Sequence, residues 1–240
     1  QVKAPAKINL TLNIEEKRTD GYHNVDMIMQ AVDLYDIITV TPKDSGDITI
    51  SCNVQGVPLD ESNLVHKAAV GFFEMNPELF NGVHIDIEKH IPMQAGLAGG
   101  STDCAAALLG LNFAYDEPLM LDELMMIGAK LGADVPFCFN GATAYATGIG
   151  TTLEKINDMP QCHIILIKPE INVSTKEAYQ RSDARTEFYP RASIKMISAI
   201  NSESFDGVCD ALHNDFQQIL KIDEVEEIVE ALKSAGAKNA

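Results

Sequence analysis

Pro92-Met93-Gln94-Ala95-Gly96-Leu97-Ala98-Gly99-Gly100-Ser101-Thr102-Asp103 is the stretch on which the reading of this chain turns. It follows a strand pattern, Val83, Ile85 and Ile87 alternating with polar residues, and opens a helical pattern through residues 105–111. Glycine has no Cβ, so backbone rich in it approaches a ligand closely and takes positive φ at no steric cost. A helix N-terminus adds N–H groups without intrahelical partners and about half a positive charge. Together these make a cradle for phosphate. The spacing is neither the G-x-x-x-x-G-K-[ST] of the Walker loop nor the G-x-G-x-x-G of dinucleotide folds. Glycines that serve packing, with Ser101 capping the helix, account for the same local pattern, so two readings stand at this level.

Upstream, Ile8, Leu10, Leu12 and Ile14 recur at every second residue, which predicts a half-buried strand with Lys7, Asn9, Thr11 and Asn13 on its polar face. The turn Asp20-Gly21 precedes an apolar stretch over residues 25–40, and Ile48, Ile50, Cys52 and Val54 alternate again. Leu64, Val65, Ala68, Ala69, Phe72 and Phe73 have helical spacing, with Ser62 or Asn63 as the N-cap. A further helix is predicted over 121–131, with Leu121, Leu124, Met125 and Leu131 as its packing face and Gly132 as its C′ residue. Downstream, residues 155–160 read as a weak linker and 164–167 as a buried strand. Amphipathic helices are predicted near 174–181, 193–200 and 224–235, the acidic run 223–230 being a solvated face. The pattern is α+β with two domains.

Eighteen Lys and Arg stand against 35 Asp and Glu, a formal charge of −17. That excess argues against a nucleic-acid or anionic-membrane surface, which needs clustered cations. It does not argue against a small phosphate-bearing molecule held by backbone N–H groups. A hydrophobic content of 46% is enough for an ordinary core. Cys52, Cys104, Cys138, Cys162 and Cys209 form no C-x-x-C pair, so neither a zinc site nor a disulfide framework is indicated. Reduced thiols, no signal-peptide pattern at Gln1-Val2-Lys3-Ala4-Pro5 and no apolar run near the ~18 residues of a membrane span predict a cytoplasmic protein.

Two further segments join the glycine loop. Ala4-Pro5-Ala6-Lys7-Ile8-Asn9-Leu10 is followed by Asp20-Gly21-Tyr22-His23, and Gly132-Ala133-Asp134-Val135-Pro136-Phe137 by Gly148-Ile149-Gly150. Read together over residues 4–179, the three segments resemble the GHMP kinases, which phosphorylate small alcohols with ATP. Asp20-Gly21-Tyr22-His23 resembles the branch acting on a cytidine-diphosphate-linked methylerythritol in isoprenoid precursor synthesis, rather than the mevalonate or homoserine kinases. The resemblance implies a two-domain GHMP kinase fold. It would comprise an N-terminal domain like domain 2 of ribosomal protein S5, here residues 1–157, and a smaller C-terminal α+β domain, 158–240. That family also carries a third glycine-rich motif, of G-S/T-G type, near its C-terminus. Leu232-Lys233-Ser234-Ala235-Gly236-Ala237 resembles the helix end before it, and the sequence given stops at Ala240.

By the resemblance, Lys7 and Asp134 correspond to the catalytic pair. An alcohol with a pKa near that of water, about 15.7, lies ~12 units above an ordinary carboxylate, or ~16 kcal/mol for prior deprotonation. An alkoxide formed before attack is therefore excluded. The carboxylate must orient the hydroxyl and take its proton late, as the P–O bond forms through a loose transition state. A lysine then holds the carboxylate ionised and neutralises the transferring phosphoryl group. A solvated strand lysine and an N-cap aspartate are the ordinary alternatives for these two positions.

The resemblance also implies substrate contacts at Asn9, Tyr22, His23, Thr175 and Tyr179. Tyr22 and Tyr179 would sandwich the cytosine and His23 would hydrogen-bond its edge. Stacking of ~1–3 kcal/mol per base is insensitive to base identity, so discrimination falls to His23 and backbone groups. Asn63 and Lys89 match positions near the adenine, and residues 92–102 the triphosphate. ATP brings Mg²⁺, which a hydroxyl of Ser101 or Thr102 could touch; no carboxylate is assigned to it. A kinase for another small alcohol and a non-catalytic nucleotide-binding relative remain the competing readings.

Overall fold

The alternation at the start of the chain becomes β1 (Val2–Lys17), and the apolar stretch after Asp20-Gly21 becomes β2 (His23–Pro42). This computed structural model describes residues 1–171, 175–185 and 188–240, and their side chains except those of Thr175 and Lys176. Two compact units are present, Gln1–Ile8 with Ala31–Gly141, and Asn9–Gln30 with Ala142–Ala240. They are discontinuous because β1 and β2 each run through both, whereas the sequence reading drew the contiguous spans 1–157 and 158–240.

In the first unit the later half of β2 pairs antiparallel with β4 (Val83–Glu88), Ile37 opposite Glu88 through Pro42 opposite Val83. β4 pairs in parallel with β3 (Ile48–Cys52). Helix α1 (Leu64–Met75) packs on β3 and α2 (Gly99–Ala114) against Val40 of β2, while α3 (Leu121–Leu131) and α4 (Val135–Asn140) pack against these helices and each other. Ile38, Phe72, Ile85, Ile87, Leu108, Leu111, Leu124 and Phe137 form the buried core, each contributing ~1.5–3 kcal/mol. Asn63 caps α1, its side chain accepting from the Val65 N–H at 2.9 Å.

In the second unit the first half of β2 pairs antiparallel with β5 (Thr143–Thr147), which pairs with β6 (Thr152–Lys155). β1 pairs in parallel with the short β7 (His213–Asn214). Helices α5 (Thr175–Asp183), α6 (Ser193–Asn201), α7 (Phe205–Ala211), α8 (Asp215–Leu220) and α9 (Asp223–Ser234) complete it. The acidic run lies on α9, none of whose residues is buried among the described residues, so the apolar face expected of an amphipathic helix is not covered there.

Four expectations are corrected. Thr11 and Asn13 are buried rather than on a wet face. Thr11 Oγ1 accepts the Ile28 N–H, and Asn13 bonds Asp215 and the Ala192 N–H, so polar partners replace water there. The stretch 164–167 forms no strand and is exposed, Ile165 at 69%, because apolar composition alone does not supply a pairing edge. Gly132 ends α3 with extended backbone, φ −174°, rather than as a left-handed C′ residue. On α3, Leu121 is exposed, and Leu124, Ile127 and Gly128 form the buried face. Among the described residues no helix is long and apolar enough to cross a membrane.

Candidate functional site

The glycine loop lies in the first unit and turns on three residues with positive φ: Gln94 at 54°, Gly96 at 71° and Ala98 at 58°. Left-handed backbone costs a residue with a Cβ ~1–2 kcal/mol, and such cost is concentrated at functional sites. Among the described residues nothing stands within 4 Å of where a Gly96 Cβ would point, so none of them covers the face over that turn. Ala98 is the N-cap of α2 and supplies no side-chain cap. Ser101 is therefore not the cap, and the first-turn amides from Gly99 onward keep their donors. The Thr102 N–H starts the helical ladder on Ala98 O at 2.9 Å.

Lys7 and Asp134 meet beside this loop. The Lys7 N–H donates to Leu97 O at 3.1 Å, which fastens β1 to the loop's crest. Its ammonium stands 3.6 Å from Asp134 Oδ2, the lysine side chain 7% exposed and the aspartate 34%. Asp134 occupies the N-cap position of α4 yet makes no capping bond with its side chain. Aspartate is among the best capping residues, yet here the carboxylate is turned away from that role and toward a buried ammonium. A Cβ on Gly132 would stand 3.6 Å from Ser101 Oγ, which brings the Gly132-Ala133-Asp134 turn against the start of α2. Behind it, the Cys138 thiol donates to Asp134 O at 3.2 Å, and burial pushes this thiol and that of Cys104 up to about 12. Both stay protonated at neutral pH.

Lys89, expected beside the adenine, has its ammonium inside the unit, bonded to Asp36 Oδ2 and, at 2.8 Å, to Asp103 Oδ2. Asp36 also accepts the N–H groups of His90 and Ile91 at 2.6 and 2.8 Å. Asn63, the other residue expected there, has its side chain engaged by Val65 N and Pro58 O. Sequence reading missed Asp36 and Asp103, though both left a signal. Asp36 is in phase with Ile38 on a strand, and Asp103 with Ala106, Ala107 and Gly110 on a helix, which puts a charge on each buried face.

Asn9, Tyr22, His23 and Tyr179 belong to the second unit. Tyr22 is 63% exposed while His23 is buried. The His23 ring stacks on Tyr179 with centroids 5.1 Å apart, and Tyr179 meets Phe216 edge-on. His23 Nε2 lies 2.7 Å from Asp183 Oδ1, and Lys17 bonds the other oxygen. These two bonds hold the Asp183 carboxyl below its ordinary value. An ionised carboxylate only accepts, so Nε2 carries the histidine proton. Lys17 and Asp183 are a second pair that sequence reading missed; 166 residues separate them. The side chain of Thr175 falls outside the described residues.

Residues 63–142, which hold the glycine loop and Asp134, match the family model described as GHMP kinases N terminal domain. The chain is 44% identical over 239 residues to the 4-diphosphocytidyl-2-C-methyl-D-erythritol kinase of Exiguobacterium sibiricum, covering 99% of this chain and 83% of that protein. It is 44% identical to the same-named enzyme of Bacillus pumilus, covering 98% and 81%. A solved 4-(cytidine 5'-diphospho)-2C-methyl-D-erythritol kinase superposes with a TM-score of 0.77 at 28% identity, covering 98% of this chain and 82% of that one. The chain belongs to the GHMP kinases, in the family of 4-diphosphocytidyl-2-C-methyl-D-erythritol kinases.

Proposed function

We propose that this protein transfers the γ-phosphoryl group of ATP to the C2 hydroxyl of 4-diphosphocytidyl-2-C-methyl-D-erythritol, a step of isoprenoid precursor synthesis in the cytoplasm. The observation that carries the chemistry is the 3.6 Å pair of Lys7 and Asp134, with Lys7 fastened through its own backbone to the glycine loop. The five free cysteines suit a reducing compartment.

Residues 92–102 hold the triphosphate through first-turn amides of α2 and the partial positive charge of that helix. Asp134, a third exposed, orients the substrate hydroxyl and takes its proton as the P–O bond forms. Lys7, nearly desolvated, places a full positive charge where negative charge develops, and little solvent screens it. Asn63 and Lys89 border the adenine side of the loop; the Lys89 ammonium is bonded to Asp36 and Asp103 and its main chain to the Asn53 side chain, so Lys89 contributes there by shaping the backbone. Tyr22 stacks on cytosine, His23 and Asn9 provide polar contacts, and Tyr179 backs His23; Thr175 completes this set.

Mg²⁺, when bound, neutralises charge on the β- and γ-phosphates. Among the described residues no group of three or more His, Cys, Asp or Glu could hold a metal. The nucleotide and water would carry most of the ion's coordination, with the Ser101 hydroxyl as the protein's contribution.

The test is ADP release measured with ATP and the cytidylyl alcohol, each also omitted in turn, with the product identified by mass. Release that needs both, and competition by cytidine diphosphate, is the expected result. Turnover on a different alcohol with no competition by cytidine diphosphate would transfer the assignment to another GHMP kinase activity.

A further inference from the structure

The chain leaves the sheet after Glu88, runs through Lys89, His90 and Ile91 into the glycine loop, and enters α2 at Gly99. Asp36, on β2, grips the leaving end through the amides of His90 and Ile91. Asp103 lies just inside α2, on the entering end. One ammonium joins them: Lys89 Nζ bonds Asp36 Oδ2 and Asp103 Oδ2. The same nitrogen sits so close beneath the loop that a Cβ on Gly99 would lie 3.1 Å from it.

The side chains of Lys89, Asp36 and Asp103 are 7%, 0% and 6% exposed. Two carboxyl groups share one cation there, and Asp103 Oδ1 has no hydrogen-bond partner among the described residues. Buried ion clusters often give less stability than apolar packing of the same volume. This one therefore makes a poor stability device, whereas charge-assisted bonds are short and directional and suit the fixing of a backbone. They reach both ends of the loop and nothing at its crest.

We propose that Lys89 and Asp103 are positioning residues for ATP binding: the ammonium ties the strand end before the glycine loop to the helix after it, and so holds residues 96–102 ready for the nucleotide. The nucleotide half of this statement rests on the function proposed above; the tie does not.

Asp103→Leu tests it. Leucine has nearly the same shape, removes the acceptor, relieves the surplus buried carboxylate and leaves Lys89 paired with Asp36, so the fold is retained. Deuterium exchange of the amides at residues 92–98 in nucleotide-free protein should quicken about tenfold. The Kd for ADP should rise about tenfold, equal to about 1.4 kcal/mol, and the rise in steady state should fall on the KM for ATP rather than on kcat. Asp103→Asn, whose amide oxygen still accepts from the ammonium, should rescue both readouts. A residue that only stabilised the fold would lower the melting temperature of Asp103→Leu without these effects. Folded Asp103→Leu with exchange and ADP affinity equal to wild type overturns the proposal. Should leucine not fold, Asp103→Ser, too short to reach the ammonium, takes its place: faster exchange with weaker ADP binding supports the tie, and wild-type values of both overturn it. Wild-type protein that binds no ADP overturns the nucleotide reading of the loop, and the exchange measurement then judges the tie by itself.

Discussion

Replacing Asp103 with Asn should stabilise the protein, and the gain should grow with pH. Asp103 is 4% exposed, and burial pushes its carboxyl from the ordinary 3.8 up to about 7. Lys89 opposes that rise and the neighbouring Asp36 carboxylate adds to it. Between these two pH values the folded protein keeps a proton that the unfolded chain has lost. The unfolded state binds fewer protons there, so stability falls as pH rises through the window. At 1.36 kcal/mol for each pH unit the full loss is about 4 kcal/mol, complete above pH 7 and absent below pH 3.8. Asn has no such proton to lose. Urea unfolding of both proteins at pH 5 and pH 8, read as the difference between them, cancels the other titrating groups. The Asn variant should lead by about 2 kcal/mol at pH 5 and by about 4 kcal/mol at pH 8. A difference that does not change with pH, or wild type the more stable at pH 8, would show that Lys89 holds both carboxylates ionised and would refute the reasoning.

Three further outcomes follow from the same geometry. Asp134→Ala should lower kcat by ~10²–10⁴, the usual contribution of a positioned proton acceptor, while ADP affinity by calorimetry stays within about twofold, because amides rather than this carboxylate hold the phosphates. Gly128→Ala places a Cβ 2.6 Å from Val135 Cγ1 and 3.0 Å from Phe139 Cε2. The ~1 kcal/mol helix gain of alanine is outweighed by ~1–3 kcal/mol of overpacking. Because Val135 follows Asp134, kcat should also fall, on the order of 10–100-fold, as measured by ADP release on the folded variant. Tyr22→Ala should leave stability within ~0.5 kcal/mol, since the ring is 63% exposed. It should raise the KM for the cytidylyl substrate about tenfold, within the ~1–3 kcal/mol of one lost stack.

How far the sequence could be read depended on whether a signal was local. Residue-by-residue alternation placed β1, β3 and β4, an apolar stretch after a turn marked where β2 lies, and helical spacing with Ser62 or Asn63 as cap placed α1. The glycine loop was visible as composition, and its neighbours Lys7 and Asp134 only through the resemblance of three segments. What escaped was set by partners distant in sequence. Thr11 and Asn13 read as a wet face because their partners lie 17 and 202 residues away. The run at 164–167 read as a buried strand because four apolar residues in a row give no information about which edge, if any, pairs with them.

Lys89 is the instructive case, because its residue type invites a ligand role and its surroundings assign a different one. A lysine just before a phosphate loop looks like a cation for the nucleotide. Two aspartates, at 53 and 14 residues' separation, engage its charge before any ligand arrives. Each betrayed itself as a charge in phase with buried apolar neighbours, and a strand or helix carries such a residue only if a counter-charge is buried with it. One buried carboxylate on β2, beside the start of the loop, and another on α2, at its end, call for a cation in reach of both, and Lys89, just past the strand that feeds the loop, is the cation the structure supplies. A search for charges in phase with the buried face of each element finds Asp36 and Asp103, where the resemblance singled out Lys89 alone.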